Sequence, residues 1–303
     1  MPDRLAALRE RIAELGLDAI VITHPSNRYY LTGYTGDDIP PNESGGHVII
    51  TPDRAVLVTS SVNSEQARQQ ASGFEVFDRV YGLAEADAAV LQEIGVRRVG
   101  FEDKAILYQD YRTLTERLGD EVELVPVGTL VDDLRLIKTQ EEIAKIARAI
   151  EVTDRAFEQV APTIKAGDRE RDIALRLEVA MRELGASGPS FPTIVASGPN
   201  AALPHHDPGD RQIQPGEPIV IDMGARVDGY CADLTRTVWV GEPDPRLREI
   251  YPIVLRALET AEAGLKAGLT GREADALARG VIEQAGYGEA FGHSLGHGVG
   301  VRV

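Results

Sequence analysis

Residues 219–240 read IVIDMGARVDGYCADLTRTVWV, two β-rich runs on either side of Asp228-Gly229. This dipeptide is typical of hairpin turns. A four-residue loop over 226–229 would pair Asp222 directly with Asp233, whereas a two-residue loop would make them diagonal neighbours on the same face. Either loop brings two carboxylates together, which is destabilising unless a divalent cation lies between them. The alternative is a surface hairpin with both acidic side chains in water.

A second stretch, residues 291–300, reads FGHSLGHGVG and sets His293 and His297 four residues apart among glycines. Glycine lets an imidazole approach a metal without crowding from neighbouring side chains. Alone, a glycine-rich segment with histidine can also be only a turn. Together with the paired carboxylates of Asp222 and Asp233, it suggests an Asp, Asp, His half-site for a metal.

Five sequence motifs support a family resemblance. In chain order they are SFPTIVASG at 190–198, ALPH at 202–205, IDMG at 221–224, ADLTRT at 232–237 and HSLGHGVG at 293–300. The chain resembles the pita-bread metallopeptidases, the family of prolidase, aminopeptidase P and methionine aminopeptidase. Its first half is similar to the amino-terminal domain of the prolidase and creatinase branch.

The resemblance implies an α/β N-terminal domain over residues 1–128 and an α+β pita-bread catalytic domain over residues 129–303. The residues agree with this division, since helix and strand patterns alternate to about residue 127. Thr139-x-x-Glu142 predicts a capping box before a long amphipathic helix, and Thr270-x-x-Glu273 predicts a second one.

In the family, two glutamate ligands lie beyond the Gly-His-Gly-x-Gly segment. We therefore expect the catalytic domain to be incomplete at its C-terminal end and the chain to be a fragment of a longer product. A natural remnant with an incomplete metal site is the alternative. A molecule ending at Val303, where residues 299–303 alternate like a strand, should hydrolyse peptides weakly or not at all.

The family's site holds two divalent metal ions. By motif, Asp222 matches a ligand of one ion, Asp233 matches the carboxylate that bridges both, and His297 matches a ligand of the other. A carboxylate-rich shell with one imidazole favours Mn²⁺, with Co²⁺ or Zn²⁺ also compatible. Thr235 lies on the same face as Asp233 and is expected to orient it.

Other side chains match the family's substrate site. His205 corresponds to a histidine that approaches the substrate or its tetrahedral intermediate, and His293 to one near the leaving-group pocket. Phe191 matches an aromatic residue that lines a substrate pocket, with plain core packing as the alternative. We assign no role to His206.

The loop over residues 34–46 is rich in glycine and acidic residues. Family dipeptidases tend to be dimers in which the first domain of one subunit reaches the active site of the other. Our hypothesis is that an acidic residue of this loop, Asp37, Asp38 or Glu43, binds the substrate's free amino group. The alternative is an ordinary surface loop.

Composition narrows the possible partners. The chain of 303 residues has a net charge of −16, which argues against nucleic acid and anionic membranes because their phosphates bind basic patches. The single cysteine, Cys231, excludes an internal disulfide and agrees with a reducing compartment. Residues 1–17 are charged and amphipathic, unlike a signal peptide, and no apolar run approaches ~20 residues. We expect a cytoplasmic protein.

The resemblance implies a dimetal Xaa-Pro peptidase acting on a small peptide with proline after the first residue, and a homodimer. We favour a dipeptidase, because the compact first domain offers its acidic loop to close the pocket. One alternative is an Xaa-Pro aminopeptidase acting on longer peptides. Another is a creatinase-like amidinohydrolase without metals, against which the intact Asp222 and Asp233 argue. The third is a non-catalytic binding protein on the same scaffold.

Overall fold

The computed structural model describes residues 2–36, 38, 43–80 and 82–303. The chain divides into two compact units, residues 1–138 and 139–303. The boundary falls after Lys138 instead of after residue 128, because a helix over residues 130–136 packs against helices at the start of the chain. This helix belongs to the first unit.

The first unit is built on one mixed sheet with the strand order β4-β3-β2-β1-β5-β6. Its strands are β1 (Ala19–Ile22), β2 (His47–Ile50), β3 (Ala55–Ser60), β4 (Glu75–Arg79), β5 (Arg98–Phe101) and β6 (Glu123–Pro126). Its helices are α1 (Pro2–Glu14), α2 (Pro25–Thr32), α3 (Ser64–Gln70), α4 (Leu83–Ile94), α5 (Tyr108–Leu118) and α6 (Leu130–Leu136). Strand β1 pairs parallel with β5 and antiparallel with β2.

Both faces of this sheet are covered. Along β1, Ile20 and Ile22 pack into one hydrophobic cluster, and Ala19 and Val21 pack into another on the opposite face. Alternate side chains of a strand point to opposite faces, so a strand buried on both faces reads as a continuous apolar run. The predicted α/β character of the first domain is confirmed.

The second unit combines helices with short antiparallel strands. Its helices are α7 (Gln140–Val160), α8 (Glu170–Glu183), α9 (Pro245–Gly264) and α10 (Gly271–Gln284). Its strands are β7 (Gly188–Pro189), β8 (Ile194–Ser197), β9 (Ile219–Met223), β10 (Ala225–Val227), β11 (Tyr230–Cys231) and β12 (Leu234–Val238). The sheet orders are β12-β9-β8 and β11-β10-β7.

The core of the second unit is formed where the strands β8, β9 and β10 pack against the helices α7 and α8. Strand β9 alternates, with Ile219, Ile221 and Met223 fully buried and the residues between them less so. This packing places Asp222 on the face away from the core. Both predicted capping boxes are present, and each fixes the first turn of its helix, α7 or α10.

Gly224 joins β9 to β10 at a point where no side chain fits. A Cβ on this residue would overlap the carbonyl oxygen of Ala232 on the opposing chain segment. On the other side of this junction, the Ala225 amide donates to Oγ1 of Thr153 on α7 at 2.9 Å. The glycine of the IDMG motif is therefore required by close packing of two backbones.

Residues 299–303 form no strand, although their side chains alternate like those of one. Within the described chain, their one backbone hydrogen bond to a strand runs from the Cys231 amide to the Gly300 carbonyl, at 2.7 Å.

None of the helices in the described ranges combines the length and the apolar composition that a bilayer crossing requires.

Candidate metal centre

The length of the hairpin turn sets the positions of Asp222 and Asp233 relative to each other. Val227 pairs with Tyr230, so the loop is the two-residue turn, and its residues Asp228 and Gly229 have φ values of 49° and 77°. Positive φ at both central residues defines the type I′ turn that Asp-Gly favours. Of the two loops considered from the sequence, the two-residue one is observed.

This register places Thr235, and not Asp233, directly opposite Asp222. Asp233 precedes Thr235 by two residues and is therefore the diagonal neighbour of Asp222 on the same face. Oγ1 of Thr235 donates a hydrogen bond to Oδ1 of Asp222 at 2.9 Å. Thr235 thus orients Asp222, whereas the sequence suggested that it would orient Asp233.

The electrostatics show that the two carboxyl groups interact. Burial raises the pKa of Asp222, and the neighbouring Asp233 carboxyl raises it further, while the Thr235 hydroxyl and the nearby His205 act in the opposite direction. A raised carboxyl pKa beside a second carboxyl means that the two negative charges oppose each other. A divalent cation would relieve this repulsion, and carboxylates are suitable hard ligands.

His297 lies beside the carboxyl group of Asp233. Its Nε2 lies 3.4 Å from Oδ2 of Asp233, and its Nδ1 lies 3.2 Å from the carbonyl oxygen of Gly298. Because a carbonyl oxygen only accepts, Nδ1 carries the hydrogen of that bond. In the neutral ring, Nε2 then has the free lone pair that a metal ligand needs.

Asp233 therefore lies between Asp222 and His297. Within the described residues, no three His, Cys, Asp or Glu side chains converge on a single point. The arrangement instead offers two adjacent donor pairs, Asp222 with Asp233 and Asp233 with His297.

Three of the side chains predicted to contact substrate, those of His205, His293 and Phe191, differ in their exposure and in their neighbours. His205 is exposed and lies near enough to Asp222 to influence its pKa. The His293 ring packs edge-on against Phe291, at a centroid distance of 4.9 Å, and its Nδ1 lies 2.7 Å from the Ser294 carbonyl oxygen. Phe191 is half-buried and lies outside the core cluster of its unit, as far as the described residues go.

In the acidic loop, Asp37 lies outside the described residues. The carboxylate of Asp38 accepts two hydrogen bonds from the buried guanidinium of Arg28, at 2.8 and 2.6 Å, and others from the Ser44 hydroxyl and the Gly45 amide. These donors leave little capacity for a substrate amino group. The contacts argue against the expected role of Asp38 and identify it as the residue that holds its own loop to α2.

No sequence pattern indicates a buried acid beside the segment that carries His205. Glu170, on the first turn of α8, is fully buried. Its Oε1 accepts from the Ser197 amide and hydroxyl at 2.8 and 2.7 Å, and its Oε2 lies 2.8 Å from Nε2 of His206. Asn200 donates to both oxygens. Acidic residues are common in first helical turns, so no local pattern distinguishes this one.

His206, to which we assigned no role, is thus a partner of Glu170. Together they fix the segment over residues 197–209, on which His205 lies. Burial acts to raise the pKa of Glu170, but the hydrogen bonds from Ser197, His206 and Asn200 outweigh it and lower the pKa. The side chain is therefore a buried carboxylate that anchors a loop.

One carboxylate on β9, a second directly before its partner strand β12, and an imidazole beside them, in an α+β unit that follows an α/β unit, define a candidate divalent-metal protein. A model described as metallopeptidase family M24 matches residues 144–303, and one described as the creatinase/prolidase N-terminal domain matches residues 4–137. The chain belongs to metallopeptidase family M24, which implies divalent metal ions. The predicted two-domain fold, with a pita-bread catalytic domain, is confirmed.

Similar proteins cover nearly all of the chain. The Xaa-Pro dipeptidase of Pyrococcus furiosus is 36% identical over 307 residues, covering 100% of this chain and 83% of that protein. A structure of an Xaa-Pro dipeptidase from Bacillus anthracis matches with a TM-score of 0.91 at 40% identity, covering 99% of this chain and 82% of the other. A structure of an X-Pro aminopeptidase from Thermotoga maritima matches with a TM-score of 0.90 at 36% identity, covering 99% and 82%.

Proposed function

We propose that this protein is a dimetal Xaa-Pro dipeptidase that hydrolyses the peptide bond before proline. The observation that carries the proposal is the placement of Asp233 between Asp222 and His297, in a chain whose M24 relatives include named Xaa-Pro dipeptidases. Asp222 would hold one ion, His297 the other, and Asp233 would bridge them. The hard, carboxylate-rich donor set favours Mn²⁺, with Co²⁺ or Zn²⁺ as substitutes.

The chain's own residues supply orientation and proton chemistry. Bound divalent ions would polarise the scissile carbonyl and activate water as a nucleophile. Thr235 holds Asp222 in one orientation through its hydroxyl, and the Gly298 carbonyl directs Nε2 of His297 towards Asp233. His205, close to Asp222, would donate a hydrogen bond to the oxyanion that develops as the carbonyl is attacked.

Specificity would come from side chains beside the donor pairs. Phe191 would line the pocket for an apolar part of the substrate, since it is half-buried and free of the core cluster among the described residues. His293 would lie near the leaving proline. The acidic loop contributes to amino-group recognition through Asp37 or Glu43 in this proposal, because Asp38 is already bonded to Arg28.

The primary test is Mn²⁺ binding measured by calorimetry. We expect Asp233→Asn to weaken binding by about 100-fold or more, since the amide that replaces the carboxylate is neutral and offers a cation only one oxygen. Asp228→Asn in the same hairpin is the matched control, because asparagine also adopts the type I′ turn and should leave binding unchanged. Equal Mn²⁺ affinity in the unaltered protein and Asp233→Asn would contradict the proposal.

Substrate assays separate the enzyme alternatives. In the longer product that the family resemblance implies, with Mn²⁺ present, proline release from an Xaa-Pro dipeptide but not from a longer peptide with the same bond would support the dipeptidase. The X-Pro aminopeptidase structure at 36% identity makes the reverse preference the second candidate. A protein that binds no Mn²⁺ would instead fit a binding protein on the same scaffold.

Two further parts of the proposal concern the protein's setting. We place the protein in the cytoplasm, in agreement with its single cysteine, Cys231. We also propose a homodimer, as the family resemblance implies. Light scattering coupled to gel filtration measures the molar mass directly, and a monomeric mass would contradict the dimer.

A further inference from the structure

The segment over residues 291–300 carries His293 and His297 but has no helix or strand. Four of its ten residues are glycines. Glycine-rich chain has high conformational entropy, so the segment has no intrinsic tendency to hold an imidazole in one position. Something outside the segment must fix it.

Two side chains of α10 make the contacts that do so. Asp275 and Arg279 lie one helical turn apart and form an ion pair at 2.6 Å. Arg279 donates to the carbonyl oxygens of Phe291 and His293 at 2.9 and 2.8 Å, and Oδ1 of Asp275 accepts from the Leu295 amide at 2.8 Å. The guanidinium also lies over the Phe291 ring, 4.4 Å from its centroid.

These contacts fall on residues 291, 293 and 295 and end two residues before His297. The other end of the segment is fixed at Gly300, whose carbonyl accepts from the Cys231 amide at 2.7 Å. Cys231 is two residues from Asp233. His297 therefore lies between two hydrogen-bonded points of the segment, Leu295 and Gly300, and its Nε2 is 3.4 Å from Oδ2 of Asp233.

The pair differs from an ordinary ion pair on a helix surface. Arg112 and Glu116 on α5 have the same spacing and the same 2.6 Å separation, but their side chains are 60% and 64% exposed. Those of Arg279 and Asp275 are 30% and 20% exposed, because backbone groups of the histidine segment cover them. Exposed pairs contribute little, whereas partly shielded bonds from charged groups to backbone contribute more.

We propose that Asp275 and Arg279 are positioning residues that hold the 291–295 segment so that His297 meets Asp233. This inference rests on the proposed function for its consequence, which is preorganised metal binding by His297. Neither residue contacts His297 itself. Both act through the backbone, so their loss increases the freedom of the ligand without removing it.

The direct test is hydrogen exchange in the metal-free protein, read by mass spectrometry over residues 291–300. Asp275→Ala and Arg279→Ala should each speed exchange of this segment by about ten-fold or more, as expected for a lost bond between a charged group and a backbone group. Arg112→Ala on α5 is the matched control and should leave the segment unchanged. Asp275→Asn retains an acceptor for the Leu295 amide and should restore part of the protection. Unchanged exchange in both alanine variants would overturn the inference.

The second readout is Co²⁺ affinity, followed by visible absorption. Both alanine variants should bind Co²⁺ about three- to ten-fold more weakly than the unaltered protein, while their circular dichroism spectra show unchanged secondary structure. Faster exchange with unchanged Co²⁺ affinity would refute the positioning role. Failure of the unaltered protein to bind Co²⁺ would contradict the proposed metal site, while the exchange data would still decide whether the two residues hold the segment.

Discussion

Replacing Glu170 with glutamine should destabilise the second unit by about 3 kcal/mol at neutral pH. The substitution preserves the shape of the side chain and removes its charge. The bonds from the Ser197 amide and hydroxyl lose their charge assistance, and the bond from His206 loses its acceptor, because the glutamine nitrogen that replaces Oε2 can only donate. Each bond loses about 1 kcal/mol, because hydrogen bonds to charged groups contribute about twice as much as neutral ones.

The effect should depend on pH in a defined direction. The folded-state pKa of Glu170 is lowered from its ordinary value of 4.5. A lowered carboxyl pKa gives stability that is fully present above the unfolded value and is lost as the pH falls through the folded value. The difference between the unaltered protein and Glu170→Gln should therefore be constant near neutrality and shrink below about pH 4.5.

The chain offers a specific probe for this experiment. Its single tryptophan, Trp239, lies in the second unit, so tryptophan fluorescence reports unfolding of that unit. Urea titration at pH 7 should show a midpoint lower by about 1 to 1.5 M in Glu170→Gln. Glu151→Gln on α7, an exposed residue paired with Arg148, is the matched control and should shift the midpoint little. Equal midpoints for Glu170→Gln and the control, or a difference that persists unchanged into acid, would refute the reasoning.

Three further substitutions test the site and its supports. Thr235→Val removes the hydroxyl that orients Asp222 and should weaken Mn²⁺ binding by about 10-fold in calorimetry, with little change in secondary structure by circular dichroism. Asp38→Ala leaves the buried Arg28 guanidinium without its carboxylate and should destabilise the first unit by about 3 kcal/mol in urea titration. A change in KM with no loss of stability would instead support the substrate-binding role that the sequence suggested for Asp38. Gly224→Ala introduces a methyl group where two backbones touch, so it should cost about 3 kcal/mol in tryptophan-monitored unfolding, and an unchanged midpoint would contradict the packing account.

Much of the fold could be predicted from local pattern. The capping boxes at Thr139 and Thr270 mark the starts of α7 and α10 because the signal lies within four residues of chain. The hairpin was also predictable, although the sequence left two loop lengths open. The choice depends on Asp228 adopting positive φ together with Gly229, which the surrounding strands impose.

The supports of the candidate site could not be predicted in this way. Glu170 and His206 are 36 residues apart, and Asp275 and Leu295 are 20 apart. Neither pairing follows a helical or strand period, and each acid also fits its helix as a residue of the solvated surface. Asp38 shows the same limit, because an acidic residue in a glycine-rich loop gives no sign that a buried arginine ten residues earlier will bind it.

The candidate site residues are held in place in two physically different ways, by strand register and by side-chain hydrogen bonds. Asp222 and Asp233 are placed by the register of β9 and β12, which many backbone hydrogen bonds define together, so no single side chain determines their separation. His205 and His297 lie on irregular segments that side chains of a helix hold, Glu170 for the first and the Asp275–Arg279 pair for the second. The carboxylate pair is therefore fixed by the fold itself, whereas each imidazole depends on a few side chains distant in sequence. Substitution of Asp275 should disturb the placement of His297 while leaving the strands intact, whereas loss of the Glu170 charge should also lower the stability of the unit through Ser197 at the end of β8. Of the two acids, Asp275 therefore separates positioning from folding more cleanly.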